Sequence, residues 1–122
     1  MHRLAYDPRR NILTIHVSGF LDPDDVPALA DAIDGQLRAA SAVRGDFRVL
    51  VESFDFPVQA TDVADLLSQI MRDGIDLTTG HVAVVVGSQL NKLQAERTLV
   101  HPRVRIFREM DEAMRWLESG AA

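Results

Sequence analysis

The hydrophobic residues of this chain follow two alternating patterns. Short runs rich in Val, Ile and Leu alternate with longer segments in which hydrophobic residues recur every three or four positions. The first pattern predicts β-strands, and the second predicts amphipathic α-helices. The predicted order of elements is β-β-α-β-α-β-α-β-α, so each strand after the first is followed by a helix.

The first two strands are predicted to form an antiparallel hairpin over residues 2–6 and 12–17. The intervening segment contains Pro8 and Asn11, which favour tight turns. Successive side chains of the second strand point to opposite faces of the sheet. The face that we expect to be buried carries Leu13, Ile15 and Val17.

The first helix is predicted to begin at Asp24 or Asp25, because either side chain can cap free backbone N–H groups. Pro27 is compatible only with the first turn of this helix. Gly35 costs about 1 kcal/mol relative to alanine, which weakens the prediction for the second half of the helix. Hydrophobic residues at helical spacing predict a buried stripe of Val26, Leu29, Ile33 and Leu37.

A strand over residues 47–52 leads into an apolar, partly acidic loop and then into a second helix. Thr61 is predicted to be the N-cap of this helix, and Gly74 is predicted to end it. Residues 75–80 are predicted to form a loop. The inward face of the second helix is predicted to carry Val63, Leu66, Leu67, Ile70 and Met71.

Residues 81–86 are the most apolar run in the chain, which predicts a strand covered on both faces of a parallel sheet. Ser88 is the predicted N-cap of a third helix, and a last strand over residues 103–107 precedes a final amphipathic helix. Right-handed crossovers would make the last four strands parallel. The predicted fold class is therefore α/β, an antiparallel hairpin followed by four parallel β-α units with helices packed on the sheet.

Length and composition add limits on domain number, partners and location. The 122 residues predict a single domain over residues 1–122. A net charge of -5 argues against nucleic acid as a partner. The absence of cysteine excludes disulfides and thiolate metal sites. Because no signal peptide and no apolar run of about 20 residues is found, we predict a cytoplasmic protein without a membrane span.

Four segments carry a resemblance to a known family. They are NILTI at residues 11–15, the strand and loop at 49–56, AVVVG at 83–87, and VRIF with EAMRWL within 104–117. The last segment is the most specific, because a strand ending in Phe, then Glu-Ala, then Trp-Leu is an unusual combination. On these segments the chain resembles the SpoIIAA-like family, which is related to the STAS domains of anti-sigma-factor antagonists and more distantly to Sec14-type lipid-binding domains.

The resemblance implies a β-α superhelix and a small bacterial cytoplasmic domain without enzymatic activity. In the anti-sigma antagonists, a serine within an Asp-Ser-Ser/Thr-Gly motif at the start of the second helix is phosphorylated by a partner kinase. Residues 55–61 of this chain lack that motif. Thr61 and Ser53 are therefore the remaining candidate phosphoacceptors, and the resemblance implies the fold without the phosphoswitch.

A candidate binding surface is predicted at the carboxyl ends of the parallel strands, where ligands bind in open sheets. Four of the five phenylalanines fall at such ends, namely Phe20, Phe54, Phe56 and Phe107. The polar residues predicted to contact a ligand or partner there are Asp55, Thr61, Ser88 and Asn91. The phenylalanines form either an apolar mouth for a partner protein or a lipid-like molecule, or a seal over the core.

No catalytic, metal-binding or cofactor motif is found. The four histidines are dispersed without ligand spacing, and G-x-S-x-G and the nucleotide-binding fingerprints are absent. Asp24, Asp25, Asp55 and Ser88 follow strands as in a phosphoacceptor receiver domain, but the last strand ends in Phe107-Arg108 without the required lysine. We therefore predict no enzyme, no metal site and no cofactor.

Two functions stand as hypotheses. The first is a non-enzymatic regulatory or protein-interaction domain, in which residues 54–61 and the adjacent helix contact an unknown protein partner. The alternative is a carrier or sensor of a small apolar, lipid-like ligand at the carboxyl ends of the strands. A homo-oligomer is compatible with both. A deep cavity at the strand ends would favour the carrier, and a flat ridge would favour the partner surface.

Overall fold

A five-stranded sheet forms the centre of the computed structural model, which describes residues 1–119. The strands follow one another across the sheet in chain order. The first is antiparallel to the second, and the remaining pairs are parallel, which confirms the predicted fold class. The strands are β1 (His2–Asp7), β2 (Ile12–Val17), β3 (Arg48–Ser53), β4 (Val82–Val86) and β5 (Val104–Phe107).

Three helices cover one face of the sheet and one covers the other. The helices are α1 (Val26–Val43), α2 (Thr61–Gly74), α3 (Gln89–Thr98) and α4 (Met110–Glu118). Right-handed crossovers that all move one strand in the same direction place their helices on the same face, here called the inner face. α1, α2 and α3 lie on this inner face, whereas α4 follows the last strand and folds back onto the outer face.

The alternation of side chains along the strands produces two separate cores. On the inner face, Leu13 and Phe47 are fully buried, and Leu29 of α1 is 1% exposed. On the outer face, Val85 and Ala113 are fully buried beneath and within α4. β4 contributes to both cores and all its residues are buried, as its uninterrupted apolar sequence predicts.

Several predicted details of the helices and strands are corrected by the structure. β3 begins and ends one residue later than predicted, and a 3-10 helix over Ile75–Leu77 replaces the predicted start of a loop. α1 continues to Val43 despite Gly35, because burial of its apolar stripe outweighs the weak propensity of one glycine. Leu66 is 44% exposed, since the buried side of α2 packs against α1 and the inner core through Leu67 and Met71 and is narrower than its hydrophobic pattern suggests.

The entry to α1 also differs from the prediction. A short 3-10 helix, Pro23–Asp25, precedes it, and neither aspartate caps α1 with its side chain. Instead, the backbone N–H of Asp22 donates a hydrogen bond to Oδ2 of Asp25 at 3.0 Å. Pro27 lies in the first turn of α1, where its missing N–H is not needed.

A polar cluster closes the amino-terminal edge of the parallel strands. Asn11 has a φ of 56°, and its Nδ2 donates to Oδ1 of Asp46 at 3.1 Å. The hydroxyl of Tyr6 donates to Oδ1 of Asn11 at 2.6 Å. The Arg44 guanidinium donates to both oxygens of Asp46 and lowers the pKa of that carboxyl below its usual value, with a smaller contribution from Asn11. The charges of Arg44 and Asp46 are thus paired with each other.

Within residues 1–119, no helix has the length and apolar character needed to cross a membrane.

Candidate functional site

The candidate site begins where the loops after β2 and β3 meet. The backbone N–H of Gly19 donates to the carbonyl oxygen of Asp55 at 2.9 Å. Gln59 bridges the two loops a second time, since its Oε1 accepts from the N–H of Leu21 at 2.8 Å and its Nε2 donates to the carbonyl of Gly19 at 3.1 Å. Residues 18–22 and 54–60 therefore form one connected surface at the carboxyl ends of the strands.

The end of β4 and the start of α3 complete this surface. The side-chain amide of Asn91 donates to the carbonyl oxygen of Phe56 at 3.3 Å. Gly87 lies directly against the backbone of Phe54, where a side chain has no room. The predicted cap of α3 is confirmed, because Oγ of Ser88 accepts a hydrogen bond from the N–H of Asn91 at 3.1 Å. The hydroxyl of Ser88 thus caps the start of α3.

Thr61 is not the N-cap that the sequence predicts. It is the first residue of α2, and the N-cap position is occupied by Ala60, which has no capping side chain. The sequence places a hydroxyl near the helix start but does not fix its position to a single residue, because helix starts are uncertain by one or two residues. Thr61 is exposed, so its hydroxyl is accessible to solvent.

The hydroxyls of Ser88 and Thr61 allow the contribution of a helix N-cap to stability to be measured against a control. We expect Ser88→Ala to lower the free energy of unfolding by about 1 kcal/mol, because it removes the side-chain acceptor of a helix N-cap. Thr61→Ala should change the free energy of unfolding by less than about 0.5 kcal/mol, since no cap bond is lost. Urea unfolding followed by circular dichroism measures both. Equal losses in the two variants would contradict the assignment of the caps.

The four phenylalanines predicted at one rim have different environments. Phe20 is 76% exposed and Phe54 is 38% exposed, and both belong to the connected loop surface. Phe56 is half-buried and packs against the inner core. Phe107 is not part of this surface, because it points to the outer face and its ring centroid lies 5.6 Å from that of Trp116 on α4. Adjacent strand residues point to opposite faces, so Ile106 rather than Phe107 joins the inner core.

A cavity of about 260 Å³ extends from the loop surface into the space between the inner face and the helices. Its floor is formed by β2, β3 and β4, from Val49 and Val82 up to Ser53 and Val86. Four residue steps along β3 correspond to about 13 Å, so the cavity is elongated along the strands. Its walls are provided by α1, α2 and α3, and its upper end is formed by residues 56–59 of the loop. The exposed lining residues are Val58, Gln94 and Thr98, so the cavity reaches solvent on the side of α3.

The candidate phosphoacceptors differ in access. Ser53 is 6% exposed, and its hydroxyl donates to the carbonyl oxygen of Val85 at 2.6 Å. A kinase could reach this hydroxyl only after the end of β3 had opened. Asp55, within the loop after β3, is exposed, and its carbonyl oxygen accepts a hydrogen bond from the N–H of Gly19. Of the two candidate phosphoacceptors, Ser53 and Thr61, only Thr61 is exposed to a kinase on the folded protein.

A paired histidine and glutamate on the outer face were missed by the sequence reasoning. His16 of β2 and Glu52 of β3 are neighbours in register, and Nδ1 of His16 contacts Oε2 of Glu52. They line a second, shallow pocket with Arg3, Thr14 and Met110. Within residues 1–119, the His16 imidazole makes no hydrogen bond to a serine or threonine hydroxyl. Equivalent polar positions in two adjacent strands were the signal that could have revealed this pair.

The structure provides no metal centre within residues 1–119, since no three His, Cys, Asp or Glu side chains converge there.

Comparisons with known proteins agree with the architecture. The sequence profile of the SpoIIAA-like family matches residues 12–118, which is most of the chain. Among solved structures, the chain is similar to an anti-sigma factor antagonist from Mycobacterium paratuberculosis, with a TM-score of 0.67 and 16% identity over 96% of this chain and 92% of that one. At this identity the similarity concerns the fold. The search of curated proteins found no match. The chain belongs to the SpoIIAA-like family.

Proposed function

We propose that this protein is a non-enzymatic binding domain that holds a small apolar molecule between its sheet and helices α1–α3. The observation that carries this proposal is the 260 Å³ cavity on the inner face. Protein interiors normally leave few voids larger than a water molecule, so an apolar space of this size between the sheet and the helices, open to solvent beside α3, favours the binding of a small molecule. A dry apolar cavity of about 150 Å³ already binds benzene.

The lining of the cavity favours an aliphatic ligand. Aliphatic side chains from three strands and three helices face the space, among them Val51, Val84, Leu67 and Met71. Each buried CH₂ group contributes about 0.8 kcal/mol, so a chain of several carbons would overcome the entropic cost of binding. A volume of 260 Å³ accommodates about nine groups the size of a water molecule, at about 30 Å³ each.

The direct test is to identify what the purified protein carries. Native mass spectrometry and organic extraction of freshly purified protein should reveal an apolar molecule at close to one equivalent per chain. Denatured protein from the same preparation provides the blank. Repeated recovery of an empty protein, together with no binding of added aliphatic alcohols, would contradict the proposal.

Filling the cavity should remove the ligand without removing the fold. Ala95 lies on α3, is 9% exposed and lines the cavity. We expect Ala95→Phe to reduce bound ligand by about tenfold or more, because the ring occupies the space that the ligand needs. Ala39→Phe on the exposed side of α1 is the matched control and should retain the ligand. Circular dichroism verifies that both variants are folded, and equal retention in both would count against the cavity as the binding site.

A second candidate function is supported by the connected loop surface. Phe20, Phe54 and Val58 are all exposed on this loop surface, so apolar side chains are present together at one end of the sheet. Exposed apolar groups of this kind mark surfaces that contact other proteins. The similar fold of an anti-sigma factor antagonist and membership of the SpoIIAA-like family also favour a regulatory role through a protein partner.

A charge placed on this surface should abolish partner binding. We expect Phe54→Asp to lose at least about tenfold in affinity for a partner protein, because a carboxylate would be buried without a counter-charge. Val43→Asp is the control, since Val43 is 59% exposed at the opposite end of the sheet. Crosslinking and affinity capture with quantitative mass spectrometry compare the two, and sedimentation velocity detects self-association. Identical partner profiles would contradict this second function.

A further inference from the structure

The polar side chains that line the cavity are all uncharged. No Asp, Glu, Lys, Arg or His lines it within residues 1–119. Its polar side chains are those of Ser53, Gln59, Ser68, Thr78, Asn91, Gln94 and Thr98. A ligand in this space therefore meets hydroxyl and amide groups but no charge that could pair with an ionised head group.

Most of these polar groups already have partners in the protein. Ser53 donates to the carbonyl of Val85, Thr98 donates to the carbonyl of Gln94 at 3.0 Å, and Gln59 bridges the two loops. The hydroxyl of Thr78 donates to the carbonyl of Phe47, and the amide of Asn91 donates to the carbonyl of Phe56. Each of these side chains therefore uses at least one donor hydrogen to hold the walls of the cavity.

Ser68 differs from the other lining hydroxyls. It lies in the middle of α2, is 9% exposed and faces the cavity. Within residues 1–119, its hydroxyl makes no hydrogen bond to another protein group. Its oxygen is open to the cavity rather than sealed from solvent. A wholly apolar ligand would strip water from this hydroxyl, so a ligand that offers one hydrogen bond at this point gains affinity there.

We infer that the ligand of this cavity is an electrically neutral aliphatic molecule whose hydroxyl or carbonyl head group exchanges a hydrogen bond with Ser68. This inference rests on the proposed ligand-binding function and specifies its chemical class: a medium-chain alcohol, aldehyde or ketone rather than a fatty acid anion. An ionised carboxylate in the cavity would lose its hydration and gain no counter-charge, and such burial is strongly unfavourable. The head group lies inside the cavity, since Ser68 is buried and Val58 at the loop end is exposed.

The test compares two ligands that share a chain length and differ in charge. Isothermal titration calorimetry of the ligand-free protein with 1-nonanol and with nonanoate at pH 8 should show the alcohol binding on the order of a hundredfold more tightly. Ser68→Ala should weaken the binding of 1-nonanol by about five- to tenfold. The binding of 1-chlorononane, which has no hydroxyl or carbonyl, should be unchanged. Ser68→Thr retains a hydroxyl and should bind 1-nonanol within about threefold of the original protein.

Each outcome separates this inference from the proposed function. Equal binding of 1-nonanol and nonanoate, or tighter binding of nonanoate, would overturn the inference and leave the cavity as a binding site. Recovery of an anionic lipid from the purified protein would do the same. If Ser68→Ala changes the affinity for 1-nonanol and for 1-chlorononane equally, Ser68 contributes by packing rather than by a hydrogen bond. That result would overturn the assigned head-group contact. If none of the three probes binds and no molecule is extracted, the proposed function fails and this inference fails with it.

Discussion

Replacing Phe47 with alanine is expected to lower the free energy of unfolding by about 3–5 kcal/mol. The side chain of Phe47 is fully buried in the inner core, directly before β3. Its ring meets that of Tyr6 edge to face at a centroid distance of 6.5 Å. Removing the ring leaves a large void between the sheet and α1, and such a loss approaches half the stability of an ordinary domain.

The matched control is the same substitution at an exposed position. Phe20 is 76% exposed, so Phe20→Ala should change the free energy of unfolding by less than about 0.5 kcal/mol. Urea titrations followed by tryptophan fluorescence and circular dichroism measure both variants. A cost at Phe20 equal to that at Phe47 would contradict the burial of Phe47 in the inner core.

Replacing Gly87 with alanine is expected to lower the free energy of unfolding by about 2–3 kcal/mol and to weaken ligand binding. An alanine Cβ at Gly87 would lie 3.1 Å from the carbonyl carbon of Phe54 and closer still to its oxygen. Because the obstructing atoms are backbone, no side-chain rotation relieves the clash. The end of β4 and the loop after β3 must move apart, and residues 56–59 of that loop form the upper wall of the cavity.

Gly35 provides the control for this substitution. A Cβ at Gly35 would meet no atom within 4 Å, and the residue lies within α1. Gly35→Ala should therefore raise the free energy of unfolding by about 0.5–1 kcal/mol through improved helix propensity. Thermal unfolding with and without a saturating aliphatic ligand separates the two effects. Equal stability of the Gly87 and Gly35 variants would contradict the close approach of the two loops.

Binding of an apolar ligand should also raise the free energy of unfolding. A ligand that binds only the folded state adds about 2.7 kcal/mol at a free concentration of one hundred times its Kd. In Ala95→Phe, added ligand should no longer raise the free energy of unfolding, while the ligand-free variant should be as stable as the original protein or more so. This result would show that the ligand stabilises the protein by binding in the cavity. This measurement requires no knowledge of the natural ligand.

The amino-acid sequence by itself determined the order and type of the elements. Strands and helices differ in the spacing of their apolar side chains, so periods of two and of about 3.6 residues report local geometry directly. The sequence also predicted the hairpin, the parallel arrangement and the cap at Ser88, each of which depends on local chemistry or on a general rule of handedness. The family followed from short segments distributed along most of the chain.

Only the tertiary structure decided what the site contains. Whether a residue at a strand end points into a cavity or away from it depends on the face it occupies, which is why Phe56 and Phe107 separate to opposite faces of the sheet. The spacing between α2 and the sheet depends on how helices pack against one another, and no local pattern encodes it. The 260 Å³ cavity and the position of the Ser68 hydroxyl in its lining therefore arise from the assembly of distant segments.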